Sequence, residues 1–332
     1  MNPQPWWRQT RWQIAGFLAA AAALNYADRS ALSAVLPELQ REFALTDVQL
    51  GLFGSVFLWC YALGSPLAGA WADRQPRHRI VILSIALWSG VTLLTGLATG
   101  FASVLGLRGA LGLAECLYLP AATALIATHH SSATRGRAMS IHSVGLNFGV
   151  VVGGSVAGFL ADHLGWRAGF LALGALGVSL AWAGQRIVAQ SPTESAATGA
   201  QLSSRANIRE ALRYLVGVPS FHALLLKAIL AGVGVWIFLT WLPLYLREAF
   251  DLSLGAAGFA GTFMLQGATV LGVAVGGWIS DAVAARDARR RLGVQGVSYL
   301  IAAPFLLLFL VRPSFGLIAA SVTGFSFFRG SG

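Results

Sequence analysis

Apolar stretches of roughly 20 residues recur along the chain, separated by short polar breaks, and nothing else in the sequence limits the fold as strongly. They run at about 12–36, 49–72, 79–99, 102–128, 138–161, 167–188, 219–246, 254–280, 292–311 and 314–330. Twenty helical residues rise about 30 Å, the depth of bilayer hydrocarbon. Lipid offers a bare amide no partner, so each run must close its own backbone hydrogen bonds as an α-helix. A barrel would need alternating polar and apolar residues, which these runs lack. The sequence therefore predicts an all-α polytopic protein embedded in a lipid bilayer. Composition agrees: 56% of the 332 residues are hydrophobic and 11% charged, against about 25% charged in a soluble domain. The 39 glycines suit close helix–helix approach. Arg8 and Arg11 precede an apolar stretch as in a signal peptide, but Asn25 and Tyr26 fit a small-residue cleavage site poorly and many further spans follow.

The net charge of +10 is unevenly placed. With the N-terminus inside, fifteen arginines fall on the cytoplasmic side, from Arg8, Arg11, Arg74, Arg77 and Arg79 through Arg135, Arg137 and Arg186 to Arg289, Arg290 and Arg291. Only Arg41, Arg167, Arg247 and Arg312 fall outside. This bias predicts a cytoplasmic N-terminus, in a setting such as a bacterial inner membrane. The basic charge follows one membrane face, and no base-reading groove accompanies it, so nucleic acid is not expected as a partner. Cys60 and Cys116 lie in apolar runs without metal-ligand spacing, and no cofactor or metal is expected.

The longest connection, about 189–218, is rich in Ser, Ala and Thr. It reads as a cytoplasmic linker between a six-helix bundle over 1–188 and a second bundle over 219–332 with about four helices. Two echoes relate the halves: "GAWAD" (Gly69 to Asp73) closes the second span as "GWISD" (Gly277 to Asp281) closes the eighth, and "LRG" around Arg108 recurs as "FRG" around Arg329.

Asp28 and Arg29 sit side by side within the first apolar run. Each would cost at least ~2.5–3.5 kcal/mol at a bilayer centre, so the pair must face protein or water. In the fourth run Arg108 and Glu115 stand seven residues apart, two turns on one face of a helix, ~10 Å along its axis. Burial and a neighbouring guanidinium act on a carboxylate's proton affinity in opposite senses, so such a group can take a proton on one side and release it on the other. Once the carboxylate is neutral, the arginine is free to grip a substrate anion in bidentate fashion. The competing structural interpretation is a static pairing of Asp28 with Arg29 and of Arg108 with Glu115.

Several stretches together resemble the major facilitator superfamily. "GAWADRQPRHR", with Gly69, Asp73, Arg74, Arg77 and Arg79, is similar to its signature loop between the second and third helices, with Pro76 where glycine is usual. Arg108, Gly112, Glu115 and Pro120 fit its fourth-helix pattern. Gly145, Gly149, Gly153, Gly154 and Gly158 resemble its glycine-rich fifth helix, taken here as helix packing. "GWRAGF" and "WLPLYL" (Trp241 to Leu246) are further landmarks. "NYADR", together with Arg108 and Glu115, resembles the anion:cation symporter branch and the neighbouring spinster-like branch.

The resemblance implies two pseudo-symmetric helix bundles and a secondary transporter, with no enzymatic activity. It assigns proton coupling to Asp28 and Glu115, and substrate binding to Arg29 and Arg108. Asn25 shares the Arg29 face at i, i+4, and it and Tyr26 join the candidate substrate contacts. Gly69, Asp73, Arg74, Arg77 and Asp281 would form a cytoplasmic gate. The expected cargo is a small organic anion with protons. A spinster-like carrier of lysolipid or another amphipathic anion is the alternative, and a membrane enzyme or sensor ranks below both because no nucleophile–base register or metal motif is present. The superfamily has twelve helices, so a chain with about ten is expected to be truncated, with a stable shortened form completed by dimerisation as the alternative. Oligomeric state is not encoded in these features. Lys227 is expected to snorkel, and His142 to be a packed residue rather than a titrating one.

Overall fold

A computed structural model describes residues 10–72, 75–188, 213–284, 290–310 and 314–331, and every regular element among them is helical. The expected gate residues Asp73 and Arg74, and most of the linker, fall outside the described residues. The helices are α1 (Thr10–Phe43), α2 (Asp47–Ala72), α3 (Arg77–Thr95), α4 (Phe101–Glu115), α5 (Tyr118–His129), α6 (Ser132–Leu164), α7 (Trp166–Val188), α8 (Pro219–Phe250), α9 (Leu254–Ala284), α10 (Arg290–Leu307) and α11 (Phe315–Gly330). Among the described residues, seven helical segments are long and apolar enough to cross a membrane, with α4 and α5 counting as one. α1 is longer than any of them but carries Asp28 and Arg29 at its centre.

Local chemistry sets the helix ends. Thr46 and Gln49 form a reciprocal box at the start of α2: Thr46 Oγ1 accepts from Gln49 N at 3.3 Å, and Gln49 Oε1 accepts from Thr46 N at 2.9 Å. Ser314 caps α11 by accepting from Leu317 N. Gly165 alone separates α6 from α7, with φ at 85°, a conformation that other residues adopt only under strain. The fourth span differs from a single straight helix. It breaks at Cys116–Leu117 because Pro120 cannot donate to the Cys116 carbonyl and its ring crowds that group. Glu115 is thereby the last residue of α4.

Small residues control how closely the helices approach. α1 and α6 run along each other: a Cβ added at Gly145, Gly149 or Gly153 would strike the α1 backbone at Ala19, Ala23 or Ala27. Such contact adds dispersion between helices where lipid leaves little hydrophobic drive. Gly112 of α4 meets the α2 backbone at Phe57, and Gly272 of α9 meets the α11 backbone at Phe327. Thus the second and fourth spans pair in one half as the eighth and tenth do in the other. Arg329 nonetheless sits about 14 residues into α11, whereas Arg108 sits about 7 into α4, ~21 against ~10 Å from their helix starts. The echo therefore matches helices without matching depth.

The two halves meet through α6 with α9 and through α1 with α8 and α9. Gly158 abuts the Leu254 carbonyl, and Gly154 and Gly258 face each other across the same seam. These contacts lie toward the end of the molecule that carries Arg41 and Arg167. Toward the other end α8 is less covered: Leu224, Leu226 and Leu230 are exposed, whereas Leu239, Leu242, Leu244 and Leu246 further along the same helix are buried.

Candidate functional site

Four ionisable side chains converge in the first half, close to its seam with the second. Asp28, Arg29, Arg108 and Glu115 are all buried. Arg29 Nε donates to Glu115 Oε2 at 2.7 Å, and the two side chains are 7% and 0% exposed. This bond joins α1 to α4. Neither pairing of the static interpretation, Asp28 with Arg29 or Arg108 with Glu115, occurs as a direct contact among the salt bridges of the described residues. The reason is geometric: adjacent residues on a helix point ~100° apart, so Arg29 reaches across to the neighbouring helix. Asp28 instead turns toward α3, where Thr92 Oγ1 donates to its Oδ2 at 3.0 Å.

The cluster is incompletely satisfied. Asp28 Oδ1, Glu115 Oε1, Arg108 Nε and Asn25 Nδ2 are buried without a hydrogen-bond partner. Asn25 lies within electrostatic reach of Glu115, but its amide and the free carboxylate oxygen are not in bonding geometry. Orphaned polar atoms are costly in a dry interior, each by ~1–3 kcal/mol, and buried sets of them mark sites where a ligand, proton or water completes the network. Aromatic rings hold the guanidiniums in place. Arg29 Cζ lies 4.6 Å from the Tyr26 ring centre and 5.0 Å from those of Phe57 and Tyr61. Arg108 Cζ lies 4.9 Å from the same Phe57 ring. Phe57 therefore supports both cations on its π-faces.

Arg29 and Arg108 border a cavity between the two halves, shared with Ser33 and Phe57 on one side and Trp236, Leu239 and Thr240 of α8 on the other. Its volume is about 20 Å³, room for about one water. The site is thus shut in this conformation. Toward the Arg41 end it is sealed by backbone contact along the α6–α9 seam. There Asp162 clamps the start of α9, its two oxygens accepting from Leu254 N at 3.0 Å and Gly255 N at 2.8 Å. A second tie draws the first half together at that end: Glu42 accepts from Trp166 Nε1 at 2.6 Å and from both terminal nitrogens of Arg167, and Arg167 also donates to the Ala98 carbonyl. Glu42 lies beyond the apolar span, and the Arg167 hydrogen bond holds its carboxyl below the usual carboxylate range.

Of the residues singled out from sequence, Asn25, Tyr26, Asp28, Arg29, Arg108 and Glu115 come together. Gly145, Gly149 and Gly153 face α1, while Gly154 faces the second half across the seam at Thr262. The gate set is only partly described: among the described residues no other element comes within 4 Å of where a Cβ on Gly69 would stand, Arg77 begins α3, and the Asp281 side chain is outside the described residues. Arg329 is not at the centre; it donates to Thr269 Oγ1 at 2.9 Å within the second half. Lys227 Nζ lies 5.8 Å from the Tyr299 ring centre, within the second half. His142 is packed: it stacks on Tyr118, with Nε2 3.2 Å from a hydroxyl that donates to the Leu18 carbonyl. Thr92, Phe57, Tyr61, Trp236 and Thr240 are site residues the sequence reading did not select. Phe57 and Tyr61 stand at i, i+4 and so share a face of α2, which was a legible signal.

The sequence profile of the major facilitator superfamily matches residues 18–332. The chain belongs to the major facilitator superfamily. It is 30% identical over 310 residues to the probable sulfoacetate transporter SauU of Cupriavidus necator, covering 88% of this chain and 70% of that protein. It is 30% identical over 297 residues to the probable galactarate/D-glucarate transporter GudP of Bacillus subtilis, covering 82% of this chain and 65% of that one. Curated relatives of this kind are matched over 54% to 70% of their own length. Among solved structures, a bacterial homolog of the human lysosomal transporter Spinster, inward-facing and unoccupied, superposes with a TM-score of 0.78 at 24% identity, covering 98% of this chain and 74% of that one. The superfamily expected from the motifs is thus found, its relatives include proteins named as anion transporters, and the Spinster homolog shares the fold.

Proposed function

We propose that the protein is a secondary carrier that moves a small organic anion together with protons by alternating access. The observation that carries this is the Arg29–Glu115 bond inside a buried group of two carboxylates and two guanidiniums, beside a closed cavity between two helix bundles. With both acids ionised the four charges sum to zero. A monoanion entering alone would leave an uncompensated charge in a dry site, which is strongly disfavoured. Protonation of one carboxylate removes that penalty and, if it falls on Glu115, releases Arg29 to grip the cargo. When the cargo leaves, Arg29 takes back the ionised acid. Asp28, held by Thr92, serves as the second proton acceptor, and Arg108 as the second anion contact.

The bundles divide at 1–188 and 219–332. The N-terminus and the arginine-rich end face the cytoplasm of a bacterial cell, and the conformation described is closed to the outside through Asp162 and the α6–α9 glycines. Gly69, Asp73, Arg74, Arg77 and Asp281 form the gate on the cytoplasmic side. The test is uptake of a labelled organic acid into proteoliposomes under an imposed pH gradient. Glu115→Gln is expected to abolish accumulation driven by the gradient, by tenfold or more, while leaving anion exchange across the membrane measurable. Unchanged gradient-driven accumulation in Glu115→Gln removes this residue from coupling.

A further inference from the structure

We propose that the cargo is a monocarboxylate with an apolar, aliphatic or aromatic body, not a polyhydroxylated sugar acid. This rests on the carrier reading above and narrows it. Two features of the site lead there. The first is the wall chemistry of the cavity. Beyond the two guanidiniums its surface is carbon: Leu36 and Leu50 from the first bundle, Leu239 and Trp236 from α8, and the Phe57 ring between the arginines. Only two hydroxyls reach it, Ser33 and Thr240. Ser33 has already given its proton to the Ser30 carbonyl at 2.7 Å. A sugar acid brings four or more hydroxyls, each of which loses water on entry and must find a partner. Against these walls most would stay unmatched, and each unmatched group lowers affinity by about tenfold. A hydrocarbon or aromatic body suits the same walls and can stack on Trp236 or Phe57.

The second feature is charge. One proton on the cluster balances one negative charge on the cargo. A dianion would need both carboxylates protonated at once, or would leave a net charge in the closed site. Of the two buried carboxylates, Glu115 is the one whose protonation frees a bonded guanidinium, so the charge balance favours a singly charged head, and the walls favour an apolar tail.

The experiment is a calorimetric titration of the purified protein in nanodiscs with four probes: benzoate and hexanoate (apolar monoanions), D-gluconate (a hydroxylated monoanion) and adipate (an apolar dianion). Gluconate separates the hydroxyls from the charge, and adipate separates the charge from the hydroxyls. Benzoate or hexanoate is expected to bind at least tenfold more tightly than gluconate and adipate, with the signal lost in Arg29→Gln and in Arg108→Gln. Persistence of the signal in both variants assigns it to the lipid and overturns the proposal. Gluconate binding as tightly as benzoate overturns the substrate class and leaves the carrier reading standing. Binding of none of the four overturns the substrate class, and pH-gradient uptake of other organic acids then decides the carrier reading separately.

Discussion

Arg29 is the residue on which the site turns. Its Nε is committed to Glu115, its guanidinium lies among three aromatic rings, and the residue lines the cavity. Lysine keeps the charge but offers a point donor with no planar fork. Arg29→Lys is expected to weaken anion binding about tenfold or more, the equivalent of ~1.4 kcal/mol or above. An equal dissociation constant for the two proteins in a direct titration would show that the fork is not used. The presence of four charged residues on the first and fourth helices was legible in the sequence, because charges are expensive in lipid and must be placed deliberately. Their partners were not. That Arg29 chooses Glu115, and that Asp28 chooses Thr92, depends on how α1 approaches α4 and α3. Thr92 looks like any polar residue in an apolar helix until that approach is known.

At the scale of the element, α6 does two jobs with two faces. Gly145, Gly149 and Gly153 let α1 lie against it within one bundle, and Gly154 and Gly158 let α9 lie against it across the seam. A Cβ at Gly149 would run into the Ala23 backbone, which no rotamer change relieves. Gly149→Val is therefore expected to cost about 1–3 kcal/mol or more and to lower the melting temperature of the detergent-solubilised protein. An unaltered melting curve would contradict the contact. The glycine spacing predicted packing, but not that the ladder serves two partners, since periodicity names a face without naming what covers it. The break in the fourth span has the same character. Pro120 marks it, yet its consequence, that α4 ends on Glu115, emerges only from the folded backbone. Asp162 holds the seam shut at the Arg41 end through two charge-assisted hydrogen bonds to the start of α9, each worth ~1.5–3 kcal/mol. Asp162→Ala is expected to shift the population toward a form open at that end. Spin labels at Val48 and Phe315, both exposed at helix starts near that end, would report longer distances. A distance distribution identical to that of the parent protein would show that the clamp does not govern closure.

Across the whole molecule, the helix boundaries follow closely from the apolar runs because bilayer thickness fixes their length and lipid forces their hydrogen bonding inward. The relation between the bundles does not follow from any one run. It arises from a seam of backbone contacts at the Arg41 end, with a water-sized cavity and a buried set of two carboxylates and two guanidiniums beside it. Electroneutrality of that set is the central claim: cargo charge and proton charge must match in every closed state. The most direct measurement is the number of protons carried per monoanion in proteoliposomes, read from simultaneous pH and tracer fluxes at several membrane potentials. One proton per anion, with a flux indifferent to potential, is the predicted result. Anion flux that carries net charge and proceeds without protons would contradict the account.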